Sequence, residues 1–242
     1  MQWQLHPTEI IMNMNYKLNS IVPWGRNLEE YKTMFSLSKE DLQKKILGCG
    51  DGPSSFNAEL TAVGGEVTSI DPIYEFTKEQ LTKRIDEVAV EVMGMVRQYR
   101  NNFVWKNIKN PDELERVRMS AMRAFLADYQ QGLEQKRYRF EMLPNLSFED
   151  RSFDLVLSSH FLFLYSEHLD FEFHLSAILE MLRVAYEVRI FPLMTLNNVY
   201  SPHLDKVREV LAKRGYKSEI MKTEYEFQRG GDEMMKVYRG TD

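Results

Sequence analysis

Residues 44 to 56 read Lys44-Lys-Ile-Leu-Gly-Cys-Gly-Asp-Gly-Pro-Ser-Ser-Phe56, and the fold follows from how this stretch is understood. A short apolar run leads into a turn crowded with glycines. Without Cβ atoms such a turn adopts positive φ at little cost and lets backbone N–H groups approach a ligand closely. The pattern then predicts a helix over 54–63, closed by Gly64-Gly65, and a strand over Glu66 to Ile70, rich in β-branched residues. Asp71-Pro72 ends that strand, because proline has no N–H for a central ladder. Strand, glycine turn, helix and strand make a βαβ unit. Asp71 lies 21 residues after Gly50, at a strand tip where a carboxylate accepts hydrogen bonds from ribose hydroxyls.

Beyond Asp71 the alternation of strand and helix pauses. Over 77–136 apolar residues recur every three or four positions, in Leu81, Ile85, Val88, Val92 and Val96 and again in Leu114, Val117, Ala121, Phe125 and Tyr129. Asn110-Pro111 reads as a helix cap followed by proline at the first helical position. Two helices forming an inserted hairpin are expected. Its place directly after Asp71 suggests a lid or acceptor-selecting cap, with Met93, Met95, Met119 and Met122 as core filling or an adaptable wall. Arg97, Arg100, Arg116, Arg118 and Arg123 alternate with acids and read as a solvated face.

Strands are expected at Tyr138–Leu143, Phe153–Ser158, Val188–Leu193, Lys217–Thr223 and Glu233–Tyr238, with helices at Phe171–Val184 and Pro202–Arg214. Gly230-Gly231 suits a hairpin turn between the last two strands. The expected fold class is α/β, a doubly wound, seven-stranded, mostly parallel sheet with the helical hairpin after its second strand. Residues 1–43 form an N-terminal arm and helix, and residues 44–242 one Rossmann-like domain.

Lysine and arginine total 31 against 36 acids, a formal charge of -5, so no global positive field invites a phosphate backbone, and nucleic acid is not the expected partner. The lone Cys49 excludes an internal disulfide and fits a reducing compartment. With no apolar run approaching a membrane span and no basic leader, the expectation is a cytoplasmic chain without a membrane association.

These motifs resemble the class I S-adenosylmethionine-dependent methyltransferases, whose first motif is an acid followed by alternating glycines and whose second is the acid ending strand two. Gly50, Gly52 and Asp71 match, as does Leu146-Ser-Phe-Glu-Asp-Arg-Ser-Phe-Asp-Leu-Val-Leu-Ser-Ser-His160, similar to the family's fourth-strand motif. The resemblance runs from about Lys44 to Ser159 and implies an antiparallel last strand and S-adenosylmethionine as cofactor. It places Gly48, Gly50, Gly52, Ser54, Asp71, Pro72, Met142, Leu143 and Ser159 around that cofactor. Two positions depart from it. Gly48 stands where the family has its first acid, which removes a polar anchor near the methionine end, and Ser54 stands at the third glycine. A nicotinamide enzyme is the competing nucleotide reading, but Ser55 replaces the third glycine of its fingerprint. A non-catalytic S-adenosylmethionine-binding protein is the other alternative.

Residues after the fourth strand face the transferring methyl in such a fold. His160 is the general-base candidate, because imidazole titrates near neutrality; positioning is its alternative role. Tyr165, with Trp24 and Arg26 from the arm, forms the candidate substrate-binding set, in which Arg26 could take the methionine carboxylate or an acidic substrate. Phe161 and Phe163 are read as core or pocket wall. His168 and His174 lack metal-ligand spacing, so no metal is expected. A small molecule is the expected acceptor, and protein modification is the alternative.

Overall fold

The computed structural model describes residues 22–240; the expectation of an arm over residues 1–21 lies outside the described residues. Helix α1 (Leu28–Met34) begins with a complete capping box: Asn27 accepts from the Glu30 N–H while the Glu30 side chain accepts from that of Asn27. Strand β1 (Lys45–Cys49), helix α2 (Phe56–Ala62) and strand β2 (Glu66–Ile70) follow as the βαβ unit. Then come α3 (Lys78–Gln98), α4 (Pro111–Glu134), β3 (Tyr138–Arg139), β4 (Phe153–Ser159), α5 (Phe171–Val184), β5 (Ala185–Phe191), α6 (Leu204–Lys213), β6 (Tyr216–Lys222) and β7 (Glu233–Arg239).

The seven strands pair in the order β3-β2-β1-β4-β5-β7-β6. All neighbours are parallel up to β5, and β7 runs antiparallel to both β5 and β6. Chain order reverses between β1 and β4, and the loops at the carboxyl ends there form the crevice where ligands of doubly wound sheets bind. One sheet face is covered by α5 and α6, through Val156, Ile178, Met181, Val188, Val207 and Leu211. The opposite face packs Tyr31, Phe35, Phe56 and Leu60 against Ile46, Leu155 and Leu157.

Three expectations change. The third strand is two residues long rather than running to Leu143, because its partner β2 stops at Pro72 and offers Tyr138 and Arg139 only Ser69 and Ile70. Met142 and Leu143 therefore sit in a turn, with Met142 bridged to Asn145. The fifth strand starts at Ala185, directly after α5, and ends before Pro192, three residues earlier than expected at the start and two at the end. Gly230-Gly231 does not close a tight hairpin, since residues 223–232 form a long connection between β6 and β7.

That connection meets the tip of the α3–α4 pair. The Val104 N–H donates to Phe227 O at 2.8 Å, Phe103 bridges Gln228, and the Phe103 and Phe227 rings stack at 4.7 Å. At its base the pair packs Leu81, Ile85, Phe125 and Tyr129 against Tyr74 and Tyr138 beside β3. The two helices thus start at one edge of the sheet and reach the loop serving the other.

Candidate active site

The glycine turn and the acid of β2 form one unit. Asp71 accepts from the Gly52 N–H and, as cap of the short 3-10 helix Pro72–Glu75, from the Ile73 N–H, both at 2.9 Å. Each oxygen keeps a further lone pair for ligand hydroxyls. Tyr74 donates its hydroxyl to Gly52 O at 2.8 Å. Gly50 and Gly52 both have positive φ, +69° and +56°. At Gly50 the close approach is made by the Phe161 ring, 3.1 Å from where a Cβ would stand, whereas the Cβ position of Gly52 faces open space. Burial lifts the Asp71 carboxyl to about 6 against the pull of its two backbone donors. Ribose hydroxyls donate to the ionised form, so affinity for a nucleoside ligand should rise with pH through about 6 and level off above it. Asp71→Ala should weaken that affinity by about 1–3 kcal/mol and flatten this pH response; calorimetry across the range measures both.

Gly48 is where the sequence shows a missing acid, and the structure supplies one from the next turn. A Cβ on Gly48 would lie 1.9 Å from Oδ2 of Asp51, so the Asp51 carboxylate fills the space of a side chain at position 48. It accepts from the Tyr31 hydroxyl at 2.7 Å and the Ser69 hydroxyl at 2.5 Å. Burial raises the Asp51 carboxyl to about 6, the two hydroxyls pull it down and the charge of Asp71 adds to the rise. The signal in the sequence was the acid between Gly50 and Gly52. Gly48→Ala should destabilise the fold by about 1–3 kcal/mol through overpacking. Combined with Asp51→Ala it should cost less than the two changes summed, a coupling read by urea denaturation.

Ser54, expected at the cofactor, is instead spent on the arm: its hydroxyl donates to Arg26 O at 2.6 Å and accepts from the Phe56 N–H at 3.1 Å. The Ser55 N–H also reaches Arg26 O, at 3.0 Å, and a Cβ on Gly25 would strike Pro53 O at 2.0 Å. The arm therefore lies directly on the glycine turn, which brings Arg26 to the site. Trp24 packs among the apolar residues of α3 and α4. Pro72 opens the 3-10 helix, one residue from Asp71.

At the end of β4, Ser159 pairs its hydroxyl with Nδ1 of His160 at 3.0 Å. His160 takes φ +52°, a left-handed conformation that costs a non-glycine residue about 1–2 kcal/mol and is held by its N–H donating to Phe191 O at 2.6 Å. Burial pushes the imidazole well below its usual range, and the charges of Arg26 and Arg118 push the same way. Its ring is therefore neutral at physiological pH. Tyr165 closes a 3-10 turn after β4; burial pushes its hydroxyl up, the charge of Arg26 pulls it down and that of Asp71 adds to the rise. Among the candidates the structure thus gathers Gly50, Gly52, Asp71, Ser159, His160, Tyr165 and Arg26 at the strand carboxyl ends. Met142 and Leu143 lie beyond β3, and Ser54 turns inward.

Arg118 corrects the solvated-face reading. It is fully buried and binds both oxygens of Glu30, at 2.6 and 2.5 Å, and the Tyr225 hydroxyl at 3.1 Å. One residue from the arm helix, one from α4 and one from the β6–β7 connection thereby meet. His174 is also buried, tied to the carbonyls of Asp170 and Leu162, a structural role. Among the described residues no three or more His, Cys, Asp or Glu side chains gather as a metal site, and no helix is long and apolar enough to cross a membrane.

Strand order, the antiparallel β7 and the glycine turn joined to Asp71 define the class I methyltransferase type of α/β fold. No protein-family model matches the chain. It is 36% identical over 226 residues to the uncharacterized protein MJ0045 of Methanocaldococcus jannaschii, covering 92% of this chain and 98% of that protein. The chain belongs to the family of that archaeal protein, whose name assigns no activity. Solved structures similar to it include magnesium protoporphyrin IX methyltransferase from Synechocystis PCC 6803 with bound SAM, at 13% identity, TM-score 0.45 and coverage of 84% of this chain and 73% of that one. A SAM-dependent methyltransferase from Aquifex aeolicus is 15% identical with TM-score 0.41, covering 98% of both chains.

Proposed function

We propose that the chain binds S-adenosylmethionine and transfers its methyl group to a small-molecule acceptor. The observation that carries this reading is the unit made by Gly52 and Asp71, in which the acid organises the turn while keeping lone pairs for ribose hydroxyls and the Cβ side of Gly52 stays open. Asp71 would hold the ribose, Gly50 and Gly52 the backbone of the methionine portion, and Asp51 the polar anchor that Gly48 lacks. As the resemblance implies, Met142 and Leu143 would lie toward the adenine, and Pro72, next to Asp71, toward the ribose. When bound, the cofactor supplies an electrophilic methyl on a sulfonium. The protein's part is then to align an acceptor nucleophile, exclude water and take up any proton released. Neutral His160, whose ring pairs with the Ser159 hydroxyl, would receive that proton; Tyr165 and Arg26 would bound the acceptor space. The α3–α4 pair serves as the cap.

Calorimetry with S-adenosylmethionine, S-adenosylhomocysteine and nicotinamide dinucleotides tests the first half of the reading. Binding of the sulfur nucleosides alone is expected, and a preference for a nicotinamide dinucleotide would overturn it. Production of S-adenosylhomocysteine in a screen of small acceptors tests the second half and separates an enzyme from a mere binder.

A further inference from the structure

Gly52 has no side chain to fix the two peptide planes beside it, and both are held instead by the loop that follows β2. Its N–H donates to Asp71 at 2.9 Å, and its carbonyl accepts from the Tyr74 hydroxyl at 2.8 Å. The second bond matters because the next residue is Pro53, so the peptide that carries this carbonyl has no N–H by which it could be anchored. With φ at +56° and nothing within 4 Å of its Cβ position, Gly52 meets no wall on that side. Hydrogen bonds rather than packing hold its planes there.

Tyr74 is itself firmly seated. It is buried, with its ring centre 5.2 Å from that of Tyr138, 6.0 Å from Phe125 and 6.1 Å from Tyr129, and Tyr129 in turn donates its hydroxyl to Phe76 O at 3.0 Å. Phe125 and Tyr129 belong to α4 and Tyr138 to β3, so the ring is wedged between the helical pair and the edge of the sheet. Burial, with the charges of Asp51 and Asp71, lifts its hydroxyl well above the ordinary range, and at neutral pH it keeps its proton to donate. One four-residue stretch, 71–74, thus supplies both the acid that would meet the ribose and the phenol that fixes the turn facing it. Resting on the methyltransferase reading, we propose that Tyr74 is a positioning residue for the cofactor: its bond to Gly52 O keeps the glycine turn in the geometry the ligand meets and ties that geometry to α4.

The test reads the Gly52 amide and the affinity for S-adenosylhomocysteine. Asp51-Gly52 is the one Asp-Gly pair in the sequence, so labelling the full chain with 13C′-aspartate and 15N-glycine isolates the Gly52 N–H. Tyr74→Phe removes the hydroxyl and keeps the ring. Tyr129→Phe, which loses the bond to Phe76 O in the same cluster, controls for packing. In Tyr74→Phe the affinity should fall about tenfold, the size of one net hydrogen bond, and the Gly52 amide should shift and exchange faster with solvent. Tyr129→Phe should leave both as in the wild type. An unchanged amide or an unchanged affinity in Tyr74→Phe, or equal losses in the two variants, would overturn the proposal. Should Tyr74→Phe not fold, the ligand-free wild type decides: a Gly52 N–H protected from exchange is expected, and exchange at the rate of an open turn would sink the idea. If calorimetry shows that wild-type protein does not bind S-adenosylhomocysteine, the methyltransferase reading fails, while the Gly52 amide still decides whether Tyr74 orders the turn.

Discussion

Glu30→Ala should destabilise the protein by about 3–5 kcal/mol, the cost of stranding a buried cation. The change leaves Arg118, fully buried on α4, with the Tyr225 hydroxyl as its remaining side-chain partner, and adds to the charge of Arg26. Replacing the pair together, Glu30→Leu with Arg118→Met, should cost much less, because two desolvation penalties vanish along with one attraction. Urea denaturation measures both, and a loss under about 1 kcal/mol for Glu30→Ala would mean that water reaches Arg118 in the folded state. Acid should act in the same direction. Burial alone would raise the Glu30 carboxyl, but Arg118 outweighs it and holds it below its ordinary value. The stability it contributes is present above the unfolded carboxylate range and is lost as pH falls through the lower folded value. Asp51 and Asp71, both lifted to about 6, have the opposite sign: they favour the ligand-free fold below about pH 4 and withdraw that stability as pH rises through 6.

For His160→Ala the expected effect is on rate. If the imidazole takes the acceptor's proton, turnover should fall about 10²–10⁴-fold with cofactor affinity little changed. Because burial and two arginines depress its titration, kcat of the wild type at saturating cofactor should be flat around neutral pH. The fall of kcat/KM for the cofactor near pH 6 should then belong to Asp71. Steady-state kinetics across pH separates the two. His160→Gly provides a second handle. It removes the same imidazole but relieves the φ of +52°, so it should be more stable than the alanine variant at equal loss of rate. Near-normal turnover in both would leave catalysis to alignment alone.

The βαβ unit was legible because it is built from local signals: β-branched residues over Glu66 to Ile70, glycines in the turn and Pro72 as a stop. The observed β2 keeps those bounds, and α5 runs over Phe171–Val184 as expected. The third strand misled because the local sequence from Tyr138 to Leu143 says nothing of whether a partner strand continues beside it, and β2 does not. The candidate site was legible where chemistry and position coincide in one motif, as where Asp71 meets the Gly52 N–H. Arg118 was not. Its periodic setting among exposed arginines matches a solvated face, and its partners lie 88 and 107 residues away in the chain. Asp51 escaped for a related reason: a position-by-position comparison finds glycine at 48 without showing that a neighbouring side chain folds back into the vacant volume.

The contact between the α3–α4 tip and the β6–β7 connection bears, on the proposed reading, on the size of an acceptor. A pair of helices rooted beside β3 and fastened at Phe103, Val104 and Asn107 to Phe227 and Glu224 is a handle attached at both rims of a basket. A polymer can lie in an open trough at any point along its length, but under a closed handle it would have to be threaded from one end. A free metabolite meets no such obstacle. On the proposed reading, such a fastening would select an acceptor by dimension before any side chain selects by chemistry.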